Sequence, residues 1–157
     1  MIQIKVLEGL RPADHAVAVA RFMSKQSYGA GEVVFLKGDP GTALYIVLKG
    51  AVEVHLGDVK VDFNPGDSFG ELAFLDGEAR SAKITAVVDE TEVATLSREQ
   101  MDLIRKTNPK FAAIIYQNLG VGLAGHLRTT NSQVLALSAK ELVKAPKLSA
   151  LLAKIGL

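Results

Sequence analysis

Residues 44–63 read Leu-Tyr-Ile-Val-Leu-Lys-Gly-Ala-Val-Glu-Val-His-Leu-Gly-Asp-Val-Lys-Val-Asp-Phe. Leu44 to Leu48 form an apolar run that stops at Lys49-Gly50, and Val52, Val54 and Leu56 then alternate with Glu53 and His55. Gly57-Asp58 turns the chain, after which Val59, Val61 and Phe63 alternate with Lys60 and Asp62. Successive side chains of a strand point to opposite faces, and Gly-Asp is turn chemistry, so the stretch predicts three short strands. The same grammar continues outward. Val33-Val34-Phe35-Leu36 ends at Gly38-Asp39-Pro40-Gly41, and the run through Phe63 stops at Asn64-Pro65-Gly66-Asp67. Short strands at this spacing, from Tyr28 to Leu96, argue for an all-β roll or sandwich.

Helices flank this region. Residues 12–23 open with Pro12, favoured in a first helical turn, and are alanine-rich; Val17 and Val19 are the strand-like exceptions. Ser97 with Gln100 three residues on predicts a capping box, opening a helix to about Lys106. Asn108-Pro109 then starts a long helical stretch to roughly residue 135, with Phe111, Ile114, Ile115, Leu119, Leu123 and Leu127 spaced by three or four. Gln117, Asn118 and His126 interrupt it, so it does not make the uninterrupted apolar run of about 20 residues that a membrane span needs. Gly120, Gly122 and Gly125 lie inside it, each costing about 1 kcal/mol against alanine. They either admit a closely packed element or soften a helix that moves. In the tail, Leu148, Leu151, Leu152 and Ile155 recur at helical spacing, as a helix docked on its own domain or as a docking segment for a partner.

Composition sets bounds. A chain of 157 residues suffices for one domain with a proper core, not for two ordinary ones. A formal charge of +1 supplies no net basic field to hold nucleic acid. With no cysteine, disulfides and thiolate metal sites are excluded. The start, Met1-Ile2-Gln3-Ile4-Lys5-Val6, lacks a basic region followed by an apolar run, so a cytoplasmic setting is the expectation.

The chemistry concentrates in residues 69–82, Phe-Gly-Glu-Leu-Ala-Phe-Leu-Asp-Gly-Glu-Ala-Arg-Ser-Ala. Gly70 and Glu71 open a short helical turn, and Arg80 and Ser81 follow at its far side. A carboxylate accepts from a ribose hydroxyl, a guanidinium forks onto phosphate oxygens, and a hydroxyl adds a neutral donor. Backbone N–H groups at a helix start add further donors. The bland alternative is a surface ion pair between Glu71 and Arg80.

This string resembles the phosphate-binding cassette of the cyclic nucleotide-binding domain family, in particular the bacterial regulatory domains such as the sensor domain of catabolite activator proteins. The resemblance runs from roughly Phe22 to Val134, through Gly31-Glu32-Val33-Val34, Gly38-Asp39, Leu44-Tyr45-Ile46, Gly50-Ala51-Val52 and Gly66-Asp67. It implies a mainly β fold: a jelly-roll-like β-roll (double-stranded β-helix) with flanking helices, including a long C-terminal lid helix. The implied domain covers residues 1–137, with a helix at 12–23, the β-roll at 26–96 and helices at 97–136; residues 138–157 form a C-terminal amphipathic extension. Carried over, Glu71 binds the ribose 2′-hydroxyl and Arg80 the cyclic phosphate. Gly70 lets the backbone approach, Ser81 and the backbone of Leu72, Ala73 and Ala82 complete the cradle, and Val52 and Phe63 lie under the purine. Residues 123–131 resemble the lid pattern Leu-Ala-x-x-Leu-Arg-x-x-Asn, which makes Arg128, Thr129, Thr130 and Asn131 the expected base contacts.

The implied ligand is cAMP, with cGMP as the alternative, and the implied role is signal transduction without catalysis. About 20 residues follow the lid, too few for the helix-turn-helix unit of the transcription-factor branch. The output is therefore expected to lie in an unidentified domain or partner protein, or in a homodimer formed through the C-terminal helix. Two rivals remain. A metal-dependent cupin shares the β-roll but needs clustered imidazole and carboxylate ligands, whereas His15, His55 and His126 are isolated in sequence. The other is the same fold without nucleotide binding, serving as an interaction or dimerisation module; the presence of Glu71, Arg80 and Ser81 argues against it.

Overall fold

The computed structural model describes residues 2–144, and the side chains of residues 2–140. The alternating segments form a hairpin: β4 (Val52–Leu56) and β5 (Val59–Phe63) pair antiparallel, and Leu56 faces Val59 across the two-residue turn. Six further strands complete two four-stranded sheets. They are β1 (Ser24–Tyr28), β2 (Val33–Phe35), β3 (Ala43–Lys49), β6 (Ser68–Phe69), β7 (Lys83–Ala86) and β8 (Thr91–Ser97). One sheet runs β1-β8-β3-β6 and the other β2-β7-β4-β5, with every pairing antiparallel. This is the expected jelly-roll-like β-roll.

β1 reads Ser-Lys-Gln-Ser-Tyr and begins four residues before Tyr28, where the sequence pattern starts, and two before the β-roll start at residue 26 that the resemblance implies. Such a polar edge strand carries no hydrophobic signal; its pairing with β8 defines it.

The period of two decides which core each side chain enters. Leu44 and Ile46 of β3, with Ala94 and Leu96 of β8, join a helical core; Val47 and Val93 on the opposite faces join a core shared by both sheets. The helical core is closed by α1 (Pro12–Phe22), α3 (Arg98–Thr107) and the start of α4 (Pro109–Lys144), through Val19, Ile104 and Ile115. Val17, one of the strand-like exceptions in α1, is exposed, while Val19 is buried. The capping box is present: the Gln100 amide donates to Ser97 Oγ at 3.1 Å and the Ser97 amide donates to Gln100 Oε1 at 2.7 Å. Asn118 ties α4 to the N-terminal segment by donating to the Val6 and Glu8 carbonyls at 3.1 and 2.8 Å.

α4 continues past the expected end near residue 135 to Lys144. Residues 136–144 contain no glycine or proline, so nothing local stops the helix. The extension expected from residue 138 thus begins inside this helix, and its Leu148, Leu151, Leu152 and Ile155 lie outside the described residues. The chain divides into two compact units, one up to Leu119 and one from Gly120. No described helix is long and apolar enough to cross a membrane.

Candidate functional site

The cassette residues fold around a helix of six residues, α2 (Glu71–Asp76). Gly70 precedes it with φ +77°, a left-handed conformation that costs an L side chain energy. A Cβ on Gly70 would also stand 2.6 Å from Arg80 Nη1. Beneath the helix, a Cβ on Gly41 would collide with the Ala73 side chain, so this glycine sets how deeply α2 sits. Ala73 and Phe74 are buried, Phe74 within the helical core, whereas Leu72 and Leu75 are exposed.

Arg80 is the centre of the arrangement. It is 4% exposed, an unusual degree of burial for a cation. Its Nη1 donates to the Gly70 carbonyl at 2.9 Å and its Nη2 to the Ala43 carbonyl at 2.7 Å. The guanidinium carbon lies 4.3 Å from the centroid of the Phe35 ring and 5.2 Å from that of Tyr45. Its backbone is pinned as well: the Arg80 amide donates to the Asp39 carbonyl at 2.8 Å, and the Gly38 amide donates to the Arg80 carbonyl at 2.9 Å. The Asp39 carboxylate in turn accepts from the Leu36 amide at 2.8 Å. Burial pulls the guanidinium below its ordinary pKa, and Tyr45, Asp39 and Glu71 oppose that pull. Arg80 Nε is buried with no hydrogen-bond partner among the described residues.

Glu71 is half-buried at the start of α2, Ser81 is exposed, and Ala82 is buried in the inter-sheet core. Val52 is fully buried in that core and Phe63 packs against it, its ring 6.2 Å from that of Phe69. Gly70 and Arg80 therefore stand together against an aromatic cluster of Phe35, Tyr45 and Phe69. Arg128, Thr129, Thr130 and Asn131 are exposed positions of α4 in the second unit, and Thr129 Oγ1 donates to its own helix at the Gly125 carbonyl, 3.1 Å away.

Sequence reasoning missed the supports of Arg80. Phe35, Tyr45 and the Ala43 carbonyl come from 35–45 residues upstream, beyond any local pattern. The Gly38-Asp39 pair was visible as a landmark, but only the fold shows that it holds the Arg80 backbone. Arg98 also escaped notice: its Nη2 donates to the Ala73 carbonyl at 2.7 Å.

Among the described residues no group of three or more His, Cys, Asp or Glu is placed to hold a metal ion. His15, His55 and His126 lie on α1, β4 and α4; His15 Nδ1 accepts from the Ile4 amide, and His55 Nε2 lies 2.9 Å from Thr85 Oγ1 and 3.1 Å from Glu53 Oε1.

Two antiparallel four-stranded sheets, a helical core against one of them and a buried arginine beside a glycine-led helical turn define the class as a helix-flanked β-roll. The sequence profile described as "Cyclic nucleotide-binding domain" matches residues 25–108, more than half of the chain, and the chain belongs to that family. It is 35% identical over 143 residues to the cyclic AMP receptor protein of Thermus thermophilus, a match covering 87% of this chain and 63% of the relative. The crystal structure of the Thermus thermophilus catabolite activator protein superimposes with a TM-score of 0.72 at 33% identity, covering 85% of this chain and 63% of that one. A structure titled for a cyclic-GMP-dependent signalling pathway in bacterial phytopathogenesis gives a TM-score of 0.67 at 28% identity, covering 74% of this chain and 96% of that one. The chain thus spans less than two thirds of the length of its Thermus relative.

Proposed function

We propose that the chain is a sensor that binds a cyclic nucleotide, cAMP in preference to cGMP, and signals through its C-terminal helix without catalysis. The observation that carries this reading is Arg80. A cation almost wholly removed from water with an orphaned Nε is costly unless an anion repays it, and a cyclic phosphate is such an anion. In this reading the phosphate takes Arg80 and Ser81 with the backbone of Leu72, Ala73 and Ala82, Gly70 admits it, and Glu71 takes the ribose 2′-hydroxyl. Val52 and Phe63 lie under the purine. Preference for cAMP is supported by the longer and closer match to the cyclic AMP receptor protein. The output passes to a further domain, a partner protein or a second copy through α4, and residues 1–137 act as the sensor.

Calorimetric titration with cAMP and cGMP tests the reading. At 100 times the dissociation constant, the favoured nucleotide should stabilise the protein by about 2.7 kcal/mol, since it binds only the native form. For a chain of this size that raises the melting temperature by about 5–10 °C. Amide exchange should slow in the cassette and in residues 119–135. No heat and no shift with either nucleotide would favour the interaction-module alternative.

Glu71→Ala should weaken cAMP by about 10- to 100-fold, the effect of losing a hydrogen bond to a charged group. It should cost the 2′-deoxy analogue far less, because the lost partner is the ribose hydroxyl. Comparing protein and ligand deletions isolates that pairing. Equal losses for both ligands would assign Glu71 to holding its own helix instead.

A further inference from the structure

We propose that Arg98 is a positioning residue for the nucleotide site, clamping the C-terminal end of the cassette helix to α3. The inference rests on the proposed function and extends it to a residue outside the cassette.

A helix of six residues is far below the length at which isolated helices persist in water, so α2 depends on external supports. Its N-terminal side is led by a glycine and receives no side-chain cap. At its other end the Ala73 carbonyl accepts two hydrogen bonds, from the Gly77 amide at 3.1 Å and from Arg98 Nη2 at 2.7 Å. A cation there meets the negative end of the helix dipole, its favourable position. Gly77 makes room for it: its φ of +84° ends the helix, and a Cβ on it would stand 3.0 Å from Arg98 Nη1. A larger residue at 77 would press on the guanidinium.

Arg98 is itself firmly held. It is the first residue of α3, its amide donates to the Thr42 carbonyl at 3.0 Å, and the Ser97–Gln100 capping box fixes the turn around it. α3 buries Met101 and Ile104 in the helical core, the same core that receives Phe74 from α2. The guanidinium therefore ties α2 to a rigid element at the end opposite Glu71. Loss of the clamp frees α2 to fray at Ala73–Gly77, and the nucleotide must then reorder it on binding.

The test compares Arg98→Gln and Arg98→Lys with the unmodified chain by amide exchange without nucleotide and by cAMP calorimetry. Arg98→Gln should speed exchange at residues 74–77 by about ten-fold or more while β3 and β8 keep their rates, and should weaken cAMP by about ten-fold. Arg98→Lys, which keeps a cation at the helix end, should restore part of both. Uniform acceleration with unchanged affinity would mean a general stabilising role and overturn the proposal, as would unchanged exchange at 74–77. If the unmodified chain takes up neither cAMP nor cGMP, the function falls, and the exchange data still decide whether the clamp exists.

Discussion

Arg80→Ala is expected to weaken cyclic nucleotide binding by two or more orders of magnitude. Each charge-assisted hydrogen bond contributes about 1.5–3 kcal/mol, so a bidentate pair contributes about 3–6, and every 1.4 kcal/mol is ten-fold in affinity. The structure adds a second effect. The guanidinium also serves the Gly70 and Ala43 carbonyls and covers the faces of Phe35 and Tyr45, so truncation should lower the melting temperature as well. Arg80→Lys keeps the charge but not the planar fork, and should recover only part of the binding. Calorimetry well below the variant's melting temperature, with circular dichroism to show that the fold persists, reads both effects. Affinity within a few-fold of the unmodified chain would remove Arg80 from the phosphate site.

Phe69→Ala should be the most damaging single truncation in the inter-sheet core. Phe69 is 1% exposed, stacks on Tyr45 with centroids 5.2 Å apart and planes 13° apart, and meets Phe35 at 6.0 Å. Replacing a buried phenylalanine by alanine costs about 3–5 kcal/mol, because a cavity remains where the ring stood. That corresponds to a melting temperature lower by about 6–20 °C. Val59→Ala, at a position 60% exposed, is the control and should shift stability by no more than about 0.5 kcal/mol. Since Tyr45 and Phe35 also carry the Arg80 guanidinium, Phe69→Ala should weaken nucleotide binding in the fraction that remains folded. Urea titrations in which the two variants unfold alike would place the main inter-sheet packing elsewhere.

The parts legible in the sequence were those encoded over a few residues. Val52 to Phe63 alternate, and they form the β4–β5 hairpin; Ser97 and Gln100 stand three apart, and they cap α3. Pro12 opens α1 as its residue type suggests. What escaped was encoded between distant residues or by no hydrophobic signal. β1 is polar and exists because β8 offers an edge. The end of α4 was placed early because the clear apolar spacing runs out after Leu127, although helix propensity does not. At the candidate site, the residue types in the cassette announced a phosphate chemistry, yet nothing in residues 69–82 could disclose that Arg80 rests on carbonyls and rings from β2, β3 and the loop before α2. Nor could Arg98 be read as anything but the first residue of a helix.

Phe74 gives the fold a property of a different kind. It leaves the cassette helix and enters the core formed with α1, α3 and the start of α4, so the seat of α2 is built from residues outside the cassette. A conservative change such as Ile104→Val, made wholly within that core, alters the surroundings of the cassette helix from behind. On the proposed sensor reading, the dose at which the module responds and the size of its response share that one set of contacts.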